Sequence, residues 1–366
     1  MQRTWSVAIL GLCACVIGGG EEDTGSTGAT SGASQDAPTS ATGATSTGEP
    51  TTTDGSTSEG TTSAGTTSAG TTGDDTTGDT TGAPPAKVEL LVCSFFGDSV
   101  TRFDPSTGAL LGTLAATDEL DGALGITVGP DGDIYVASEE SNAVLRYAGA
   151  SGEYLGRFVW DDPGTPEDET GGLEGPGAVL FGADGMLYVS SFDSNAVLRY
   201  DGATGAFVDV FVAAGAGGLE GPDAGMTFGP DGDLFVPGFY SNTVSRFAAA
   251  TGEPLPDFTP TDLLDNPRTL IFAGGYLYVA NEGSNEVLRY DGATGAFVDV
   301  FVAAGAGGLA GPAGMVFGPD GVLHVASVGN DRVLRFDSEG QPLPELIDGP
   351  GSGIAGPTHI TLAPAQ

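Results

Sequence analysis

The chain has 366 residues, with 11 Lys+Arg against 49 Asp+Glu and a formal net charge of -38. Such a surface repels phosphate backbones and anionic headgroups, which excludes nucleic acid as a partner and leaves metal cations and cationic or neutral ligands open. Of the three cysteines only Cys93 lies beyond residue 15, so the folded part is not stapled by an intrachain disulfide.

Residues 1–14 read as a signal peptide. Arg3 precedes an apolar run from Trp5 to Ile17, too short for an ordinary transmembrane helix. Leu12-Cys13-Ala14-Cys15 resembles a bacterial lipobox. The resemblance implies cleavage before Cys15, lipidation of its thiol, and contact with membrane through that anchor only. Val16 follows Cys15 in place of the Asp that resembles an inner-membrane retention signal. The expected address is therefore the outer membrane or cell surface of a Gram-negative bacterium. Residues 15–86 are Thr/Ser/Gly-rich and acidic, without a basic residue or an aromatic one. They cannot bury enough apolar surface to offset chain entropy, so a disordered tether is expected.

From residue 87 a phrase repeats to the C-terminus. Each unit has an apolar strand with a Gly-Pro-Asp-Gly type turn, a strand such as Asp133-Ile-Tyr-Val-Ala-Ser138, a third such as Ala143-Val-Leu-Arg-Tyr147, and a fourth after a Gly-containing turn. Residues 197–219 and 287–309 are identical. The third-strand arginine recurs at Arg102, Arg146, Arg199, Arg246, Arg289 and Arg335, with gaps of 44, 53, 47, 43 and 46 residues. That period suits propeller blades. Second strands number six, and the sixth first strand is the C-terminal His359-Ile-Thr-Leu-Ala-Pro364. The expected fold is all-β: a six-bladed β-propeller of four-stranded blades, closed where the C-terminal strand joins the N-terminal blade, which removes open edges.

Units such as GPDGDIYVASEESNAVLRYAGASGEYLGRF, and Gly329-Asn-Asp-Arg-Val-Leu-Arg-Phe336, resemble NHL-type repeats. That family is related to gluconolactonase-like and streptogramin-lyase-like propellers. The resemblance covers residues 87–366 and implies a six-bladed propeller without implying one activity.

The recurring arginines are expected to pair with turn carboxylates or aromatic rings, and Cys93 and His324 to be buried and structural. The positions that open the first strands, expected to line the channel mouth, are Gly125, Ala178, Gly225, Thr269, Gly314 and His359. His359, with Arg268 and Asp223 in adjoining loops, is the strongest candidate site, since an imidazole serves as base or metal ligand. Phe95, Phe96, Phe192, Phe239 and Tyr240, in second-to-third-strand loops, form a candidate contact platform. The insertion Asp161–Glu169 is crowded with carboxylates but lacks EF-hand spacing.

The gluconolactonase-like resemblance implies a divalent metal held by Glu, Asn and Asp. Asn281, with Asp223, could serve there, yet no first strand carries Glu. The lyase-like set of His, Glu and Tyr is likewise identifiable only at His359. The leading expectation is an anchored monomeric binding module, acting through its loop face on an extracytoplasmic protein, glycan or small molecule. The alternative is a metal-dependent hydrolase or lyase at the channel mouth. No cofactor is required, and a divalent cation such as calcium is the one candidate.

Overall fold

The computed structural model describes residues 88–365, apart from 115, 261 and 350. The signal peptide, Cys15 and the tether lie outside the described residues. The rest forms six antiparallel sheets in a propeller. Blade 1 contains β1 (Val88–Ser94), β2 (Ser99–Phe103) and β3 (Leu110–Thr113); blade 2 contains β4 (Ala123–Val128), β5 (Ile134–Ser138), β6 (Ala143–Tyr147) and β7 (Tyr154–Val159). Blade 3 contains β8 (Pro176–Phe181), β9 (Met186–Ser191), β10 (Ala196–Asp201) and β11 (Phe207–Val212); blade 4 contains β12 (Thr227–Phe228), β13 (Leu234–Gly238) and β14 (Thr243–Phe247). Blade 5 contains β15 (Pro267–Ala273), β16 (Tyr276–Asn281), β17 (Glu286–Asp291) and β18 (Phe297–Val302); blade 6 contains β19 (Pro312–Phe317), β20 (Leu323–Ser327) and β21 (Arg332–Phe336).

The last strand, β22 (Pro357–Pro364), pairs antiparallel with β1 through Leu90↔Leu362 and Val92↔Ile360. It thereby supplies blade 1 with its innermost strand, as the repeat count predicts. Blades 4 and 6 depart from the expected four strands and have three. Their fourth segments carry Pro254 and Pro256, or Pro342 and Pro344, and survive only as isolated bridges such as Phe247↔Pro254 and Phe336↔Pro342. Proline has no N–H to give to a ladder.

Second strands are buried on both faces, because each blade is packed between two others; β5 is buried along its whole length. The inter-blade core repeats one aromatic figure. Tyr135 meets Phe158 of its own blade and Phe181 of the next edge-to-face, at 4.8 and 4.9 Å. Tyr188, Phe235 and Tyr278 do the same in blades 3, 4 and 5. His324 holds this position in blade 6, where its Nε2 lies 3.2 Å from the Pro105 carbonyl of blade 1. Cys93 is a buried free thiol whose pKa is pushed far up by burial.

The recurring arginines sit on the blades' flanks. Arg146 pairs with Asp131 and Asp133, Arg199 with Asp209, Arg246 with Asp231 and Asp233, and Arg289 with Asp299. Each of these four also lies over aromatic rings, as Arg289 does over Tyr276 at 4.9 Å. Arg102 forks onto Glu89, and Arg335 donates to the carbonyls of Pro344 and Ser106.

A ring of hydrogen bonds ties the loop face together. Each second-to-third-strand turn holds an Asn or Asp at positive φ: Asp98, Asn142, Asn195, Asn242, Asn285 and Asp331. Its side-chain oxygen accepts a backbone N–H from the following blade, in order Gly122, Gly175, Gly221, Asn266, Gly311 and Gly356, at 2.7–2.8 Å. Short Asx side chains tolerate the left-handed region and bond locally. Here they reach the neighbouring blade as well.

Candidate functional site

Inner strands start at the loop face with a bulge. In blade 5, Pro267 pairs with Asn281 and Leu270 with Val279, so Arg268 and Thr269 together oppose Ala280. The same interruption recurs in β4, β8, β19 and β22. A bulge re-aims side chains, and here it sets two inner-strand residues opposite one residue of the second strand in each of these blades. Backbones pack so closely there that a Cβ on Gly125 would stand 2.1 Å from the Gly177 carbonyl oxygen, and one on Gly314 2.6 Å from the His359 Cα. Of the six positions read from the sequence, the glycines at 125, 225 and 314 are therefore steric requirements.

Blade 4 has the widest irregularity. Pro222 bridges Gly238 and the ladder resumes only at Thr227↔Phe235. The facing residue Pro237 has no N–H to hold the strand in register, and its carbonyl accepts the Asp223 N–H at 3.1 Å. The excursion buries Asp223, 1 % exposed, beside Arg268, 5 % exposed. Arg268 Nε donates to Asp223 Oδ2 at 3.2 Å, NH1 donates to Glu282 Oε2 at 2.8 Å, and the guanidinium carbon lies 5.5 Å from the Phe239 ring centre. Burial pulls the guanidinium pKa down, but Asp223 and Glu282 outweigh it and hold the pKa above the ordinary arginine range.

The first residue after each second strand forms the next tier: Phe95, Glu139, Phe192, Phe239, Glu282 and Val328. Those residues are buried or half-buried, whereas the second residues are exposed, Phe96 by 56 % and Tyr240 by 51 %. Glu139 has its carboxyl pKa pushed up to about 7, by burial first and then by Asp223, against the opposing pull of Arg268. His359 is half-buried, its Nδ1 has no hydrogen-bond partner among the described residues, and burial with the field of Arg268 pushes its pKa down to about 4. The imidazole is neutral at pH 7.

The structure thus brings Asp223 and Arg268 into contact and sets His359 within the field of Arg268. Phe192, Phe239 and Tyr240 form one cluster, with ring centres 5.2, 5.3 and 6.2 Å apart. Phe95 and Phe96 pack on each other at 5.3 Å, and lie against Gly122 and Gly356 respectively. No ring contact joins the two groups among the described residues.

Asn281 is occupied elsewhere. Its Oδ1 accepts the Asp265 N–H at 2.8 Å, and its Nδ2 donates to the Leu263 carbonyl and Ser284 Oγ at 3.0 and 2.7 Å. Ser94, Ser138, Ser191 and Ser327 perform the same loop-clamping task in other blades. With that amide spent and the Asp223 carboxylate held by Arg268, the residues do not fit a divalent metal at the mouth. Among the described residues no three His, Cys, Asp or Glu side chains gather as a metal site. In the acidic insertion, Asp162 and Asp168 accept backbone N–H groups of Gly164, Thr170 and Gly171. Glu139 and Glu282 escaped the sequence reading. Aligning the residue after each second strand across repeats would have exposed both.

The sequence matches no protein-family profile and no curated protein. Its fold is similar to a chain in the crystal structure of a nidogen/laminin complex, at TM-score 0.61 and 14% identity, covering 75% of this chain and 98% of that one. It is also similar to a protein of unknown function from Bacteroides caccae, at TM-score 0.59 and 15% identity, covering 76% and 100%. A streptogramin B lyase structure matches at TM-score 0.51 and 15% identity, covering 76% and 88%. At these identities the likeness is one of fold.

Proposed function

We propose that the chain is an envelope-anchored, NHL-like propeller that acts as a binding module through its loop face. In this reading a signal peptide over residues 1–14 is removed, Cys15 carries the lipid, and residues 15–86 hold domain 87–366 away from an outer membrane or cell surface. The partner is an extracytoplasmic protein that seats an apolar or cationic side chain on the Phe192–Phe239–Tyr240 cluster. The observation that carries this reading is Tyr240, half exposed on two supporting rings and set in the field of Asp193, Glu139 and Asp223. Exposed aromatic anchors with a polar surround are the usual centre of a protein interface. A propeller of like fold in the nidogen/laminin complex adds support. Hydrolysis or elimination at the mouth gains no such support, because Arg268 holds the Asp223 carboxylate and the Asn281 amide is spent on its own loop.

A photo-reactive residue at position 240, compared with one at 204 in the third-to-fourth-strand turn of the opposite face, tests the reading in cells that express the chain. Adducts formed at 240 and absent at 204 are expected. Adducts at neither position, or equally at both, would overturn it. Lipid-precursor labelling of wild type against Cys15→Ser tests the anchor, and labelling that survives the substitution sinks it.

A further inference from the structure

We propose that the outer edges of β11 and β18 are docking sites for a fifth strand, supplied by an extended segment of a partner protein that alternates apolar and basic residues. These edges are separate from the loop face and do not depend on the loop-face reading. Apart from Phe96, Tyr240 and Leu263, every large exposed apolar side chain among the described residues lies on the outermost strand of a blade. Blades 3 and 5 carry most of them: Phe207, Val208 and Val210 on β11, and Phe297, Val298 and Val300 on β18, exposed by 37–46 %. Each of these strands is six residues long and ends its sheet, so one row of its backbone N–H and C=O groups faces no neighbouring strand.

The other blades blunt the same edge. Prolines replace the strand in blades 4 and 6, β3 has only four residues, and β7 exposes Arg157. Proline, brevity and charge are the usual devices that keep an edge from pairing. Blades 3 and 5 use none of them. The one charged residue of each strand, Asp209 or Asp299, is forked by Arg199 or Arg289 of its own blade. Register shifts at Val208 and Phe211 bend β11, and matching shifts bend β18, so the added strand pairs over a short stretch.

Charge selects the occupant. The connection into blade 3 carries Asp161, Asp162, Glu167, Asp168 and Glu169 and no basic residue. It runs beside β11: a Cβ on Gly171 would stand 2.2 Å from the Phe207 ring, and Tyr200, which packs on Phe207, lies in the field of Asp168. In blade 5, Tyr290 packs on Phe297 and lies in the field of Asp262. Every arginine among the described residues is already held, by carboxylates or, at Arg335, by backbone carbonyls. The two edges are therefore apolar strips in a negative field. Their complement is a strand whose main chain extends the ladder, whose apolar side chains cover the Phe and Val residues, and whose basic side chains answer the carboxylates. A second copy of the chain brings like charge to the same place. Residues 18–86 contain no basic residue and no Val, Ile, Leu, Met or aromatic residue, so they cannot supply the strand either.

The test titrates the full chain with a blocked Val-Lys-Val-Lys-Val-Lys-Val-Lys peptide in calorimetry. Saturable binding of two peptides per chain is expected. N-methylation of alternate amides keeps the charge and the apolar content but removes strand hydrogen bonds, and is expected to weaken binding at least tenfold. Glu in place of Lys is expected to abolish it. Val208→Lys and Val298→Lys, at exposed positions, place on each edge the charge that blunts edges elsewhere. Each is expected to reduce the stoichiometry to one, and the double variant to remove both sites. Unchanged urea midpoints report intact folds, and the N-methyl comparison, made on the unsubstituted chain, decides even where a variant unfolds. An N-methylated peptide that binds as well as its parent would mean attraction by charge alone and would overturn the proposal. Binding that survives the double variant overturns it too, as does a dimer of the chain that the double variant returns to monomer.

Discussion

Arg268 and Asp223 meet 45 residues apart in sequence, Nε to Oδ2 at 3.2 Å, with side chains 7 % and 2 % exposed. Glu282 takes a second edge of the guanidinium at 2.8 Å. A buried ion pair contributes little net stability, yet removing one partner strands the other charge out of water. Arg268→Met is therefore expected to cost about 3–5 kcal/mol. The double variant Arg268→Met/Asp223→Asn should recover much of that loss. Urea denaturation of the two variants beside wild type decides; equal losses would mean that Asp223 and Arg268 do not compensate each other's buried charge.

His359 supplies a pH signature. Its folded pKa is pushed from 6.5 to about 4, so the folded chain binds fewer protons than the unfolded one in that window. This contribution is fully present above pH 6.5 and is lost as pH falls toward 4. His359→Gln should flatten the acid limb of the stability–pH curve, and a ring titration by NMR should place His359 well below an ordinary histidine. His324 is shifted in the same direction, by burial, so the comparison requires single variants.

Glu139 acts with the opposite sign. Its folded pKa is raised from 4.5 to about 7, so the folded state holds the proton more tightly. The contribution is present below pH 4.5 and lost as pH rises through 7. Glu139→Gln should match wild type in acid and become relatively more stable toward neutral pH. Parallel stability curves for the two proteins would show that the Glu139 carboxyl is solvated and not pressed toward Asp223.

The Asx ring yields a graded series at one position. Asn195 sits at φ 56 and accepts the Gly221 N–H at 2.7 Å. Asn195→Ala loses the hydrogen bond and places a Cβ residue in the left-handed region, for about 2–3 kcal/mol together. Asn195→Gly loses only the hydrogen bond, about 1 kcal/mol. Asn195→Asp should be nearly neutral, since Asp98 and Asp331 fill the same place elsewhere in the ring. Thermal unfolding of the three variants gives the order, and Ala equal to Gly would remove the backbone part of the explanation.

Much of this was legible before the structure. The spacing of Arg102 through Arg335 counted the blades, and the unpartnered first strand at His359–Pro364 required ring closure. Turn residues and alternating apolar positions are local signals, and they survive without an alignment. Two fourth strands were overcounted because the prolines at 254, 256, 342 and 344 were not weighed against the repeat. The site was half legible. His359, Arg268 and Asp223 stood out as departures from the repeat. Asn281 was singled out by the gluconolactonase-like resemblance, yet it does the work that serine does in other blades. Glu139 and Glu282 were overlooked because nothing in their own neighbourhoods distinguishes them from solvated loop acids.

The sequence by itself determined the number of blades, the strand that closes them and the glycine-lined positions around the axis, because each follows from periods and turn chemistry confined to about 45 residues. Only the tertiary structure decided which side chains share the channel mouth. Asp223, Arg268 and Glu282 meet there from two blades whose inner strands start irregularly, and a bulge redirects a side chain by an amount no sequence period encodes. One extra residue in blade 4 buries Asp223 against a guanidinium from blade 5, and the fields of that pair reach Glu139 and His359.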